Sequence, residues 1–138
     1  MRISFAVCKG ATRTVLLIGR VAIKLPTFLT WKLFLYGLLG NMQETLWWNG
    51  LPDSREMMCP VLFSIPGGFL TVMRRAEPVS LEEWFANDHA WFYRAKGLSI
   101  PVEDKLDSWG RVDGRIVAVD YGSDYCSYIK EEENEAAR

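Results

Sequence analysis

Apolar residues along the chain fall in short dense runs, each closed by residues that turn a backbone. Residues 2–8 and 14–24 are rich in Val, Ile and Leu and read as strands. Lys9-Gly10-Ala11-Thr12 separates the two runs, and Gly19-Arg20 breaks the second. Pro26 closes that run, with Thr27 or Thr30 placed to cap a following helix. The pattern predicts one long helix over residues 28–48, apolar around most of its circumference, as in helices buried against a sheet. Gly37 and Gly40 weaken this helix but would let another backbone approach it closely.

Downstream the punctuation is stronger. Asn49-Gly50-Leu51-Pro52-Asp53 reads as a loop, and Pro66-Gly67-Gly68 between residues 60–65 and 69–73 predicts a hairpin. Ser80-Leu81-Glu82-Glu83 is a capping box, opening a helix over residues 81–95 with Trp84, Phe85, Trp91 and Phe92 toward the core. Asp113-Gly114 is a two-residue turn that makes residues 109–112 and 115–120 a second hairpin. The order is strands, long helix, hairpin, helix, hairpin. It predicts an α+β domain over residues 1–130, an antiparallel sheet with one long buried helix and a shorter one. Residues 131–138 form an acidic frayed tail.

Composition narrows the class. At 138 residues and 49% hydrophobic, the chain can bury one core and is not a disordered segment. Its three cysteines (Cys8, Cys59 and Cys126) are scattered, and His89 is its one histidine. That argues against a structural zinc site and suits reduced thiols in the cytoplasm. Lys32 interrupts the apolar stretch over residues 25–40, which is shorter than the roughly 18–20 residues a membrane span needs. Charge is uneven: six basic residues and no acidic one precede Glu44, and all 17 acidic residues lie from Glu44 onward. A basic N-terminal part could hold phosphate or nucleic acid. No aromatic motif interleaves with it, so a nucleic-acid-binding module ranks last.

Two apolar strands carry candidate chemistry: Val21-Ala22-Ile23-Lys24, and Arg115 through Val119 ending in Asp120-Tyr121-Gly122. On these residues the chain resembles a protein kinase over roughly residues 2–122. The resemblance implies that Lys24 pairs nucleotide phosphates, that Glu44 on the long helix holds Lys24, and that Asp120 binds a metal ion. It also implies a hinge at Arg74-Arg75-Ala76-Glu77-Pro78. Thirteen residues before Asp120, where the family has a metal-binding asparagine, stands Asp107, whose carboxylate also suits Mg²⁺. Glu103 and Asp104 lie near the position of the catalytic base but out of register.

The departures bear on activity. The first turn offers one glycine, Gly10, where the family has a glycine-rich loop, and only 18 residues follow Asp120. The activation segment and the helical substrate lobe have no counterpart, and phosphoryl transfer is largely positioning. The expectation is a catalytically degenerate, pseudokinase-like protein that binds a protein partner or a nucleotide, of a size that suits a phage or prophage accessory protein. A small phosphotransferase using ATP and Mg²⁺ is the alternative. Three plainer readings stand beside these. Lys24 could snorkel from its strand while Glu44 faces solvent; Asp120 could simply end a strand; and His89 is read as structural. Trp47-Trp48 is either core or an interaction surface.

Overall fold

The computed structural model describes residues 5–9, 12–50, 52–86, 102 and 106–121. Strands β1 (Phe5–Lys9), β2 (Arg13–Ile18) and β3 (Val21–Pro26) form an antiparallel meander, followed by helix α1 (Trp31–Gly50) and a 3₁₀ turn, Pro52–Met57. The hairpin β4 (Val61–Ile65) and β5 (Leu70–Arg74) returns to the sheet, giving the order β1-β2-β3-β5-β4. Beyond it come β6 (Glu77–Pro78), α2 (Leu81–Ala86), a 3₁₀ turn at Leu106–Ser108, and the hairpin β7 (Trp109–Val112) and β8 (Arg115–Ala118). Strands β6, β7 and β8 make a second antiparallel sheet. The fold is therefore α+β, with two antiparallel sheets and one long helix. None of the described helices is long and apolar enough to cross a membrane.

Turn chemistry sets the register. Gly19, Gly67, Gly68, Asp113 and Gly114 all have positive φ, so the turns predicted at Gly19-Arg20, Pro66-Gly67-Gly68 and Asp113-Gly114 fall where their residues permit a left-handed backbone, while Gly10 and Ala11 of the first turn lie outside the described residues. The β2–β3 turn at Gly19-Arg20 pairs Arg13 with Pro26 and Val15 with Lys24. With a period of two, Arg13, Val15 and Lys24 then share one sheet face. That is the face on which β3 buries Ala22, Lys24 and Pro26, and on which β5 buries Thr71 and Met73.

Helix α1 begins three residues later than residue 28, because Thr30 is its cap: Leu33 N–H donates to Thr30 Oγ1 at 3.1 Å. It crosses the sheet at close range. A Cβ at Gly37 would lie 2.5 Å from the Thr12 carbonyl oxygen, and Gly68 meets the Leu38 carbonyl as tightly. The expected burial of the apolar circumference is overturned, however. The helix buries Gly37, Gly40, Asn41, Gln43 and Glu44, and exposes Trp31, Leu35, Tyr36, Leu39, Met42 and Leu46. The helical angle that turns Gly37 and Gly40 to the sheet also turns Asn41 and Glu44 inward, so Trp31, Leu35, Leu39, Met42 and Leu46 lie on the opposite side.

The apolar core lies at the junction of the two sheets. Met57, Met58, Cys59 and Met73 pack there with Trp109, Val112, Val117, Ala118 and Tyr121, flanked by half-buried Trp47, Trp48 and Trp84. The Trp47-Trp48 pair is thus core lining. Cys59 N–H donates to the Ala118 carbonyl at 2.8 Å, and Tyr121 Oη donates to the Cys59 carbonyl at 2.8 Å, fastening the strand after β8 to the first half of the chain. Burial raises the Cys59 thiol to about 11, so it stays protonated at neutral pH.

Helix α2 starts on its capping box, with Glu83 N–H donating to Ser80 Oγ at 3.2 Å. Its Glu83 carboxylate pairs with Arg111 of β7. Phe85 is 76% exposed rather than in the core, while Trp84 packs on Trp109 with ring centroids 6.0 Å apart. Trp91, Phe92, His89 and Cys126 lie outside the described residues. Of the predicted hinge, Glu77 and Pro78 are instead a strand paired with Arg111 and Gly110 of β7.

The Gly37 contact generates a stability test. Gly37→Ala should lower the unfolding free energy by about 3 kcal/mol, because the methyl group meets backbone that no rotamer change can move aside. Gly50→Ala, with open space around its Cβ, is the control. Urea midpoints compare the two.

Candidate functional site

Lys24 projects from β3 toward α1, and Glu44 meets it from the helix, one turn beyond buried Gly40. Lys24 Nζ donates to Glu44 Oε1 at 2.8 Å, and the Glu44 side chain has no solvent exposure. The same ammonium donates to the Val119 carbonyl at 2.6 Å, drawing the chain that follows β8 against the first sheet. The 20-residue spacing in sequence is therefore a direct ion pair in space.

A third charged group enters from β2. Arg13 Nη1 lies 2.9 Å from Glu44 Oε1 and donates to Asn41 Oδ1 at 3.2 Å, while Nη2 pairs with Asp120 Oδ1. Asn41 in turn donates to the carbonyls of Lys24 (3.2 Å) and Gly68 (2.9 Å), tying α1 to β3 and to the β4–β5 turn. Two cations and two carboxylates thus form one layer between helix and sheet, with Asn41 orienting the guanidinium. Asp120 is its open edge, with 52% of its side chain exposed. Glu44 Oε2 is buried without a hydrogen-bond partner among the described residues, an acceptor still open to a donor.

The electrostatics follow from this packing. At Asp120 burial pushes the carboxyl pKa up, but the charges of Arg13 and Lys24 outweigh it and hold the group below the usual carboxylate range. For Arg13 burial acts to lower the pKa, and Glu44 with Asp120 more than reverses this, so its value is raised.

Lys24, Glu44 and Asp120 thus converge, and Asp107 is exposed on the Leu106–Ser108 turn. Among the described residues no group of three His, Cys, Asp or Glu gathers in a geometry that could hold a metal ion. Glu103, Asp104 and Gly10 lie outside the described residues. A cavity of about 480 Å³ opens elsewhere, between the β2–β3 and β7–β8 turns, lined by Arg20, Arg74, Arg75 and Arg111 among others. None of Lys24, Glu44 and Asp120 lines it.

Arg13 and Asn41 are the members that sequence reasoning missed. A signal for Arg13 was present: a tight turn at Gly19-Arg20 pairs position 13 with 26 and 15 with 24. That register puts Arg13 on the lysine's face. Asn41 carried no comparable signal, since an asparagine in an apolar helix reads as surface. No protein-family model matches the chain, and no curated protein matches it.

Two measurements probe this layer. Lys24→Met should cost about 1–3 kcal/mol of stability in urea unfolding, because the Val119 carbonyl loses its donor and Glu44 keeps only Arg13 of its two cations, whereas exposed Lys32→Met stays within about 0.5 kcal/mol. Asp120 has a lowered folded-state pKa, so its contribution is fully present above its unfolded value of about 3.9 and lost as pH falls below it. The stability gap between wild type and Asp120→Asn should accordingly be constant near neutrality and close in acid.

Proposed function

We propose that this chain is a catalytically degenerate, protein-kinase-like protein that acts by binding another protein and does not transfer phosphate. Three features support the kinase-like part of the reading. A lysine on the third strand of an antiparallel sheet pairs with a glutamate on the helix that follows it. A hairpin then returns to that sheet, and the chain after a last hairpin brings Asp120 to the same charged layer. In kinases the corresponding lysine and glutamate orient the nucleotide phosphates, and the aspartate holds Mg²⁺.

The observation that carries the non-catalytic part is Arg13. Its guanidinium stands between Glu44 and Asp120, and Lys24 is engaged with Glu44 and the Val119 carbonyl. Two positive and two negative side chains cancel, so among the described residues the layer has no surplus negative charge with which to dehydrate and hold a divalent cation. The described residues do not fit a Mg²⁺-nucleotide. Binding of a protein partner is the reading that needs none of the parts that catalysis requires.

Thermal unfolding with and without Mg²⁺-ATP tests the reading. Wild type should show no shift and no phosphate transfer to a protein substrate. Arg13→Gln, which frees Glu44 and Asp120 of a charge, should acquire a Mg²⁺-ATP-dependent shift that Lys24→Ala removes. Transfer by wild type that is abolished in both Lys24→Ala and Asp120→Ala would establish a small phosphotransferase instead. If Arg13→Gln folds and still ignores nucleotide, the kinase-like reading fails.

A further inference from the structure

Helix α1 is inside out. Its inner side is glycine, asparagine, glutamine and glutamate, and its outer side presents Trp31, Leu35, Tyr36, Leu39, Met42 and Leu46. Trp31 is 73% exposed and Leu46 is 67% exposed, so the face is open from one end of the helix to the other. Leu35, Leu39, Met42 and Leu46 follow spacings of four, three and four, the spacing of a seam that meets another helix.

The size of this face exceeds what a monomer ordinarily leaves in water. At the area typical of large apolar side chains, the six residues expose roughly 650 Å², against about 300–600 Å² for the largest patch of a common monomer. Phe28 and Leu29, both exposed at the head of the helix, bring the total to roughly 900 Å². A stable protein–protein interface needs about 800 Å² from each side.

The chemistry of the face selects its occupant. Among the described residues Lys32 is the only charge on it, which is too few cations for an anionic membrane surface. A surface that is apolar along a single stripe is complementary to itself, as a two-fold interface requires. The charge at its ends sets direction. A parallel pair would set two Lys32 ammonium groups together. In an antiparallel pair centred near Leu39, each Lys32 approaches the C-terminal end of the other helix. That end is the negative pole of the helix dipole; Arg55 donates to the Trp48 carbonyl there at 3.0 Å, but the last turn itself holds no basic residue and exposed Asp53 follows it. We propose that two copies of this chain dimerise through an antiparallel α1–α1 contact centred on Leu39. This inference uses only the outer face of α1 and stands whether or not the chain is kinase-like.

Light scattering coupled to size exclusion, on the full chain, gives the first test. Wild type should show twice the 15.8 kDa chain mass, and Leu39→Glu and Leu46→Glu should return the single mass with unchanged circular dichroism. Disulfide trapping tests direction with no need of a disruptive variant, in a background with Cys8 and Cys126 replaced by serine. Leu39→Cys should link to itself on oxidation. Leu46→Cys alone should not, but should link when mixed with Lys32→Cys. A wild-type chain that remains monomeric across the accessible concentration range overturns the proposal. So does a dimer that survives both glutamate variants, or monomers that co-float with lipid vesicles. Self-linking at position 46 without cross-linking to position 32 would overturn the antiparallel direction.

Discussion

Glu44 places a carboxylate where water does not reach, on the helix side of a sheet whose facing strands supply a lysine and an arginine. The rest of the structure is organised by that neutralisation. A buried carboxylate without partners is too costly to keep, so β2, β3 and α1 must come together in the one register that brings Arg13 and Lys24 to it. Glycine at position 37 lets the helix descend far enough for the contact. Lys24 then reaches the Val119 carbonyl and Arg13 reaches Asp120, so the second hairpin is held by the same charges. Buried ion pairs of this kind add little net stability over apolar packing, but they penalise every arrangement that leaves one charge alone.

That organisation divides the molecule by chemistry. The polar layer lies between the middle of α1 and the first sheet, while the apolar core lies between the 3₁₀ turn after α1, the end of β5 and the second sheet. The helix therefore works in two directions. Its inner face is polar and fixed by hydrogen bonds through Asn41, and its outer face is left apolar. Both proposals derive from this arrangement: Arg13 neutralises the layer that a nucleotide and its metal would need, and the outer face offers itself to a second copy.

Much of the architecture was legible in order and type. The three hairpin turns were marked by residues that tolerate positive φ, and the strands between them by their apolar runs. The bounds that moved did so for local reasons: Thr30 rather than an earlier residue capped α1, and the β7–β8 hairpin ended at Ala118, where Val119 turned its carbonyl to Lys24. The burial of α1 was misread. Apolar periodicity reports which residues could be buried, and here the inner side is taken by the glycines, Asn41, Gln43 and Glu44.

For the candidate site, Lys24, Glu44 and Asp120 could be named from sequence through the resemblance to a protein kinase, which attaches such charges to a strand, the helix after it and the end of a later hairpin. Sequence by itself determined the α+β order of elements and the turn positions, since these depend on residues near one another in the chain, while the three charges were marked only by a resemblance. Only the tertiary structure decided what surrounds them. Arg13, Asn41 and the Val119 carbonyl reach Lys24 and Glu44 across separations of up to 95 residues. Long-range pairing sets those distances, and no local propensity encodes it.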